Sequence, residues 1–213
     1  MKCLPIAPLL LLTLLSARQK KTDAAQLGPV AQFYVDEGGL ALHTSASRAY
    51  ARPCLKPVSL SQTLVGGAFD LPGKLVQFIE AHKLAATTHT QRPSGYDAVH
   101  ITPAPPYEGN WLGQGDFKSF CFGKFELVKV EPVADAKPIT AGASEPYLIP
   151  GVQARATRIT FRLTDVPGGN FVRDLKDDTT LLARGSMAPD DYGRELTVVA
   201  TLPNRVEDFN TDR

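Results

Sequence analysis

The sequence predicts an α+β protein with a mainly antiparallel sheet. Three observations carry that expectation. Asp70 to Ala85 has the apolar spacing of a helix. Several later stretches alternate apolar and polar residues, as half-solvated antiparallel strands do. The 17 Gly and 17 Pro among 213 residues favour turns and argue against a helical bundle. A helix with two short strands, followed by several longer strands, is the element order of the α+β class.

The main helix is expected over about residues 70–85. Asp70 can accept from the first turn, and Pro72 sits where a missing N–H costs nothing. Leu71, Leu75, Phe78, Ile79 and His82 fall on one helical face, with Lys74, Gln77 and Lys83 off it. Thr87 to Gly95 reads as a polar turn between short strands. Tyr96 to Thr102 then alternates, with Val99 and Ile101 on one side and Tyr96, Ala98, His100 and Thr102 on the other. Pro103 to Asp116 is expected as a loop containing the single Trp, Trp111.

Ser119 to Val130 is the strongest β stretch, and Gly123 within it suggests a bulge. Glu131 to Pro150 has no pattern and reads as a connection. In Ala156 to Leu163, Ile159, Phe161 and Leu163 alternate with Arg158, Thr160 and Arg162. Val166 to Asn170 reads as a turn, and Glu195 to Leu202 as a last strand. The tail from Pro203 is polar and expected to be loose. Upstream, Ala31 to Val35 fits either a short strand or the start of a helix.

The N-terminus sets the compartment. Lys2 precedes a Leu-rich run from Leu4 to Leu15, and Ser16-Ala17 precede the polar Arg18-Gln19-Lys20-Lys21. A basic start, a short apolar core and a small-residue exit form a secretory signal peptide over residues 1–17. The core is about 12 residues, short of the roughly 20 that span a bilayer. Residues 18–30 then read as a tether, and 31–213 as a single α+β domain.

The exit Leu15-Ser16-Ala17 resembles that of a bacterial lipoprotein signal, but Arg18 stands where the lipidated Cys would be. Arg has no thiol, so lipid cannot be attached there. Cleavage after Ala17, retention as a weak anchor, and a Cys-to-Arg variant of a lipoprotein family are the three readings left open. The expected location is the periplasm or cell envelope, with any peripheral membrane association made through the N-terminus.

Charge is balanced, with 23 basic and 22 acidic residues. No imbalance steers the protein to nucleic acid or anionic lipid. Of the three cysteines, Cys3 lies in the signal. Cys54 and Cys121 are then a single pair, which in an oxidising compartment is most simply a disulfide. It would close a loop of about 67 residues.

The middle of the chain resembles a family of uncharacterised bacterial lipoproteins. The residues that carry the resemblance are the helix Leu75 to Leu84, His100-Ile101-Thr102, and Phe120-Cys121-Phe122-Gly123-Lys124, followed by Leu127 to Pro132 and Ala156 to Leu163. The resemblance covers roughly half the chain. It implies a winged-helix-like helix and small hairpin followed by an antiparallel sheet. The family carries no established activity, and the departure at Arg18 bears on the anchor.

No catalytic, cofactor or metal set emerges from the spacing. His43, His82, His89 and His100 include no helical i, i+4 pair of the metal-binding kind. His82 continues the helix stripe and reads as a packing residue. His89 in a polar turn reads as solvated. His100 lies near Ser94 and Asp97, but no G-x-S-x-G elbow frames a serine. Asp174, Asp177, Asp178, Asp190 and Asp191 lack calcium-loop spacing and read as a solvated charged loop. Gly66-Gly67 and Gly168-Gly169 read as turns.

Tyr107, Trp111, Phe117, Phe120 and Phe122 form the densest aromatic stretch. Core packing is the first reading of it. The alternative is a partner surface made by Tyr107, Trp111 and Phe117, since aromatic residues are enriched in interfaces. The function expected is an exported, non-enzymatic protein that binds another envelope or secreted protein, inhibitor and immunity-type proteins included. A periplasmic hydrolase and a cytosolic winged-helix DNA-binding regulator are the alternatives.

Overall fold

The computed structural model describes residues 26–43, 48–64, 70–93 and 96–211. Residues 1–17, where a signal peptide is expected, and Arg18 lie outside the described residues. The elements in chain order are α1 (26–36), β1 (Val58–Ser59), β2 (Ser61–Leu64), α2 (Leu71–Ala81), β3 (Ala86–Gln91) and β4 (Asp97–Thr102). They continue with β5 (Trp111–Leu112), β6 (Phe117–Phe120), β7 (Lys124–Pro132), β8 (Ile139–Thr140), β9 (Gln153–Thr164), α3 (Phe171–Asp177) and β10 (Leu196–Pro203). All the strand pairs are antiparallel, so the α+β class with an antiparallel sheet holds. No helix among the described residues is long and apolar enough to cross a membrane.

The chain divides into two compact units. The first unit takes Met1–Gly39, Glu126–Arg162 and Glu195–Arg213. Its helix is α1, which occupies residues 26–30 of the expected tether. Leu27, Val30, Ala31, Tyr34 and Val35 are all buried, at i, i+3, i+4, i+7 and i+8. Burial of that stripe decides the open reading of Ala31 to Val35 for helix.

The sheet of this unit has the order β10-β9-β7, with β8 also beside β9. Register places Leu196 opposite Phe161, Val198 opposite Ile159 and Ala200 opposite Thr157, all buried. The other face carries polar pairs, Thr160 with Thr197 at 3.0 Å and Arg162 with Glu126 at 3.0 Å. One face is apolar and one wet, as the alternation of β9 and β10 requires. The tail is not loose. Phe209 is buried with its ring 5.0 Å from Phe33, and the Asn210 N–H donates to the Tyr147 carbonyl at 3.0 Å. One aromatic anchor and paired backbone groups hold a stretch whose composition is polar.

The second unit takes Leu40–Phe125 and Leu163–Arg194. Asp70 caps α2 by accepting from the Gly73 N–H at 2.8 Å. Leu75, Val76, Phe78 and Ile79 bury the apolar face. The helix stops at Ala81, short of the expected 85, because Lys83 turns left-handed at φ 52°. That turn sends the fully buried Leu84 into the core, its N–H donating to the Ile79 carbonyl at 3.0 Å. Burying Leu84 outweighs the small strain of a left-handed Lys.

The strands on either side of α2 form two three-stranded sheets, β2-β4-β3 and β1-β6-β5. A hairpin forms as expected, β3–β4, but β3 takes Ala86–Gln91 out of the stretch read as a polar turn, because its pairing with β4 supplies the backbone partners, and β2 joins as a third strand. The expected strand from Ser119 to Val130 is interrupted after Phe120 and resumes at Lys124. Gly123 sits in the gap at φ 73°, and a Cβ there would meet Leu163 Cδ1 at 2.7 Å. It marks a break and not a bulge. The core gathers Phe78, Trp111, Phe120, Phe122, Phe171 and Leu175. The last two come from α3, a helix the sequence reading placed in a charged loop.

Candidate functional site

Cys54 and Cys121 form a disulfide with Cα atoms 4.0 Å apart, across an isolated antiparallel bridge. Backbone bonds flank it. The Leu55 N–H donates to the Phe120 carbonyl at 2.9 Å, and the Phe122 N–H to the Pro53 carbonyl at 3.0 Å. The Asn110 amide donates to the Cys121 carbonyl at 2.8 Å, and Ser186 Oγ accepts from the Cys54 N–H at 3.1 Å. A disulfide so placed is compatible with an oxidising, exported location.

The disulfide adjoins the aromatic stretch. Trp111 is only 5% exposed, and its indole N–H donates to the Leu84 carbonyl at 3.1 Å. Tyr107 is half-buried, edge-on to Phe120 at 5.6 Å between ring centroids. Trp111 is therefore core and presents no partner surface. Phe117 is 64% exposed. Strand pairing explains the split: Trp111 faces the core opposite Phe120, while Leu112 and Ser119 face outward with Phe117. Leu112 is 46% exposed, so it joins Phe117 at the hairpin tip, where the sequence analysis did not name it.

The histidines have four different surroundings. His43 ends a 3₁₀ turn, Gly39–His43, and burial lowers its pKa. His100 lies on the exposed face of β4 with Nδ1 3.3 Å from Ser61 Oγ. Asp97, the acid close to it in sequence, is bonded to His89 instead, and Ser94 lies outside the described residues. His89 is not a free, solvated side chain: Nε2 is 2.6 Å from Glu80 and Nδ1 2.7 Å from Asp97. A neutral imidazole has one N–H, so only the imidazolium donates to both. The bond to Glu80, then that to Asp97, raises the His89 pKa.

His82 caps the end of α2 and packs on two rings, 4.4 Å from Phe78 and 5.2 Å from Phe171. It also lines a cavity of about 350 Å³ together with Lys83, Gly168, Gly169, Asn170 and Asp174. Its side chain is 10% exposed, and Nε2 lies 3.1 Å from Asp174 Oδ2. The angle is wrong for a hydrogen bond, so Nε2 is buried with the Asp174 carboxylate as its ion-pair partner only. Nothing in the sequence spacing signals this meeting, because α2 and α3 are far apart along the chain.

Three further carboxylates of the charged loop are paired. Asp178 meets Lys74 at 3.0 Å, and Asp190 meets Lys176 at 2.8 Å. Asp191 is buried between Arg48 at 3.4 Å and Arg194 at 3.6 Å, so the charged loop is not uniformly solvated. No group of three or more His, Cys, Asp or Glu side chains converges among the described residues. Compared with protein-family models, curated proteins and solved structures, the chain matches none.

Proposed function

We propose that this protein is exported, associates with the cell envelope and acts by binding another envelope or secreted protein. The observation that carries the reading is the Cys54–Cys121 disulfide, since such bonds persist in oxidising compartments. The signal-like N-terminus points the same way. Phe117 and Leu112 give the reading a surface: two apolar side chains on one face of a hairpin that runs straight into the disulfide. Inhibitor and immunity-type proteins remain inside this class.

A hydrolase is the second reading, favoured by the Ser61–His100 approach. A triad needs an acid to orient the histidine. Asp97, the acid close to it in sequence, holds His89, and His100 lies open to solvent, so this reading has less support.

The test is the intact mass of the protein from native membrane and periplasmic fractions, with and without thiol alkylation. The expected species lacks about 17 residues and takes no alkylating label. A full-length species with alkylatable cysteines would replace this reading with the cytosolic regulator. In the exported case, a co-purifying partner is expected to be lost from the Phe117→Ser, Leu112→Ser double variant.

A further inference from the structure

We propose that β10 is a self-pairing edge, along which two copies of this chain join antiparallel, an interaction beyond the binding reading above. β10 ends the sheet order β10-β9-β7, so one of its sides has no strand of this sheet beside it. In an antiparallel pair, opposite residues either exchange both backbone bonds or turn both sets of groups away from each other. Three observations fix which β10 residues turn away from β9. The Ala156 carbonyl accepts from the Val133 N–H, just past β7, at 2.9 Å, so its β10 partner Thr201 turns to the free side. The Tyr147 hydroxyl donates to the Thr201 carbonyl at 3.2 Å. Pro203, with no N–H to offer β9, falls in the same phase. Thr197 and Val199 share that phase, so their N–H and C=O groups point outward too. Among the described residues, no backbone group bonds to them from that side.

The two end strands of this sheet differ in how they are guarded. β7 carries Glu126, Lys129, Glu131 and Pro132, and charges and proline keep an edge from pairing. β10 has no charged residue from Leu196 to Pro203, and Val199 is 51% exposed. A strand of Leu, Thr, Val and Ala with open backbone groups is a template for another strand.

The occupant is a second copy because the open groups complement themselves. A twofold axis beside Val198 sets Thr197 opposite Val199 of the second copy, and Val199 opposite its Thr197. Each of these pairs exchanges both backbone bonds, so every open N–H and C=O of the two residues finds a partner. Thr201 keeps its carbonyl for Tyr147 in this register. Shifting the register by two residues one way sets Thr201 opposite Thr197 and needs the carbonyl that Tyr147 holds. Shifting it the other way sets the Glu195 carboxylate against Val199. The contact is small, so the dimer is expected to be weak and to dissociate on dilution.

The test is amide hydrogen exchange of the full chain with its disulfide intact, read at rising protein concentration beside sedimentation velocity. The Val198 and Ala200 N–H groups face β9 and stay protected throughout. Those of Thr197 and Val199 are expected to exchange fast in dilute protein and to slow at least about tenfold as the dimer fills. Val199→Lys puts a charge on an exposed side chain of the edge and is expected to weaken the dimer at least about tenfold. The Phe117→Ser, Leu112→Ser double variant leaves the dimer unchanged, which separates failure here from failure of the partner reading. A monomer at every concentration overturns the proposal. Protection of Thr197 and Val199 that ignores concentration also overturns it, because the chain's own residues would then cover the edge. A dimer in which both amides still exchange fast, or one that Val199→Lys leaves undiminished, puts the contact elsewhere and overturns it too.

Discussion

The two compact units hold themselves together in different ways. The unit built on α1 and the β10-β9-β7 sheet relies on ladder register and alternation: buried partners face each other along β9 and β10, and no cysteine or histidine is among its described residues. The unit built on α2 and α3 has short strands, an aromatic core and the disulfide, and it holds all four histidines. Short strands have few ladder bonds to define position. Ring packing and a covalent bond take over that role, and they fix irregular loops where polar side chains can meet. Reactive side chains therefore collect in the loop-rich unit.

The strongest way to break this contrast is to remove the disulfide. Its loop, from Cys54 to Cys121, lies wholly within the second unit. The Cys54→Ala, Cys121→Ala variant is expected to lose about 4 kcal/mol, the chain-entropy value for a loop of that length. Hydrogen exchange should show lost protection in β5, β6 and α2, with β9 and β10 changed least. Equal loss throughout would mean that the units do not differ in this respect.

A smaller effect sharpens the comparison from the helix side. Asp70→Ala removes the N-cap of α2 and is expected to cost about 1 kcal/mol in denaturant unfolding, with amide protection falling first near Gly73 and Lys74. An unchanged midpoint would show that packing of Leu75, Phe78 and Ile79 alone holds the helix.

The smallest effect is the pH dependence of His89. Its pKa is raised, so its bonds to Glu80 and Asp97 contribute fully below the ordinary histidine value of about 6.5 and fade as pH rises through the raised value. The clamp is largely exposed, so solvent screening limits the effect to a few tenths, about 0.5 kcal/mol at most. Unfolding free energy should fall over that window in the native chain and stay flat in His89→Gln. A parallel fall in both would assign the dependence to another group.

Much of the architecture was legible in the residues themselves. The cap Asp70, the stripe on α2, the alternation in β9 and β10 and the pairing of Cys54 with Cys121 all follow from local spacing and residue type. Period and capping are local properties, so a linear reading finds them. Helix α1 was harder, because Gly28 and Pro29 lie within it and argue against a helix interior. Only burial of Leu27, Val30 and Tyr34 selects the helix. Helix α3 was hidden by its charges, since Phe171 and Leu175 are its only fully buried residues among four charged ones.

The sequence by itself determined the fold class, the main helix, the long strands and the cysteine pair. The tertiary structure alone decided that Trp111 turns inward while Phe117 and Leu112 turn outward, because strand pairing sets which alternate residues face the core. It also decided that His82 meets Asp174, because two helices distant in sequence converge on one aromatic cluster. Local patterns specify elements, whereas a site made by two elements exists only once packing has set their distance and angle.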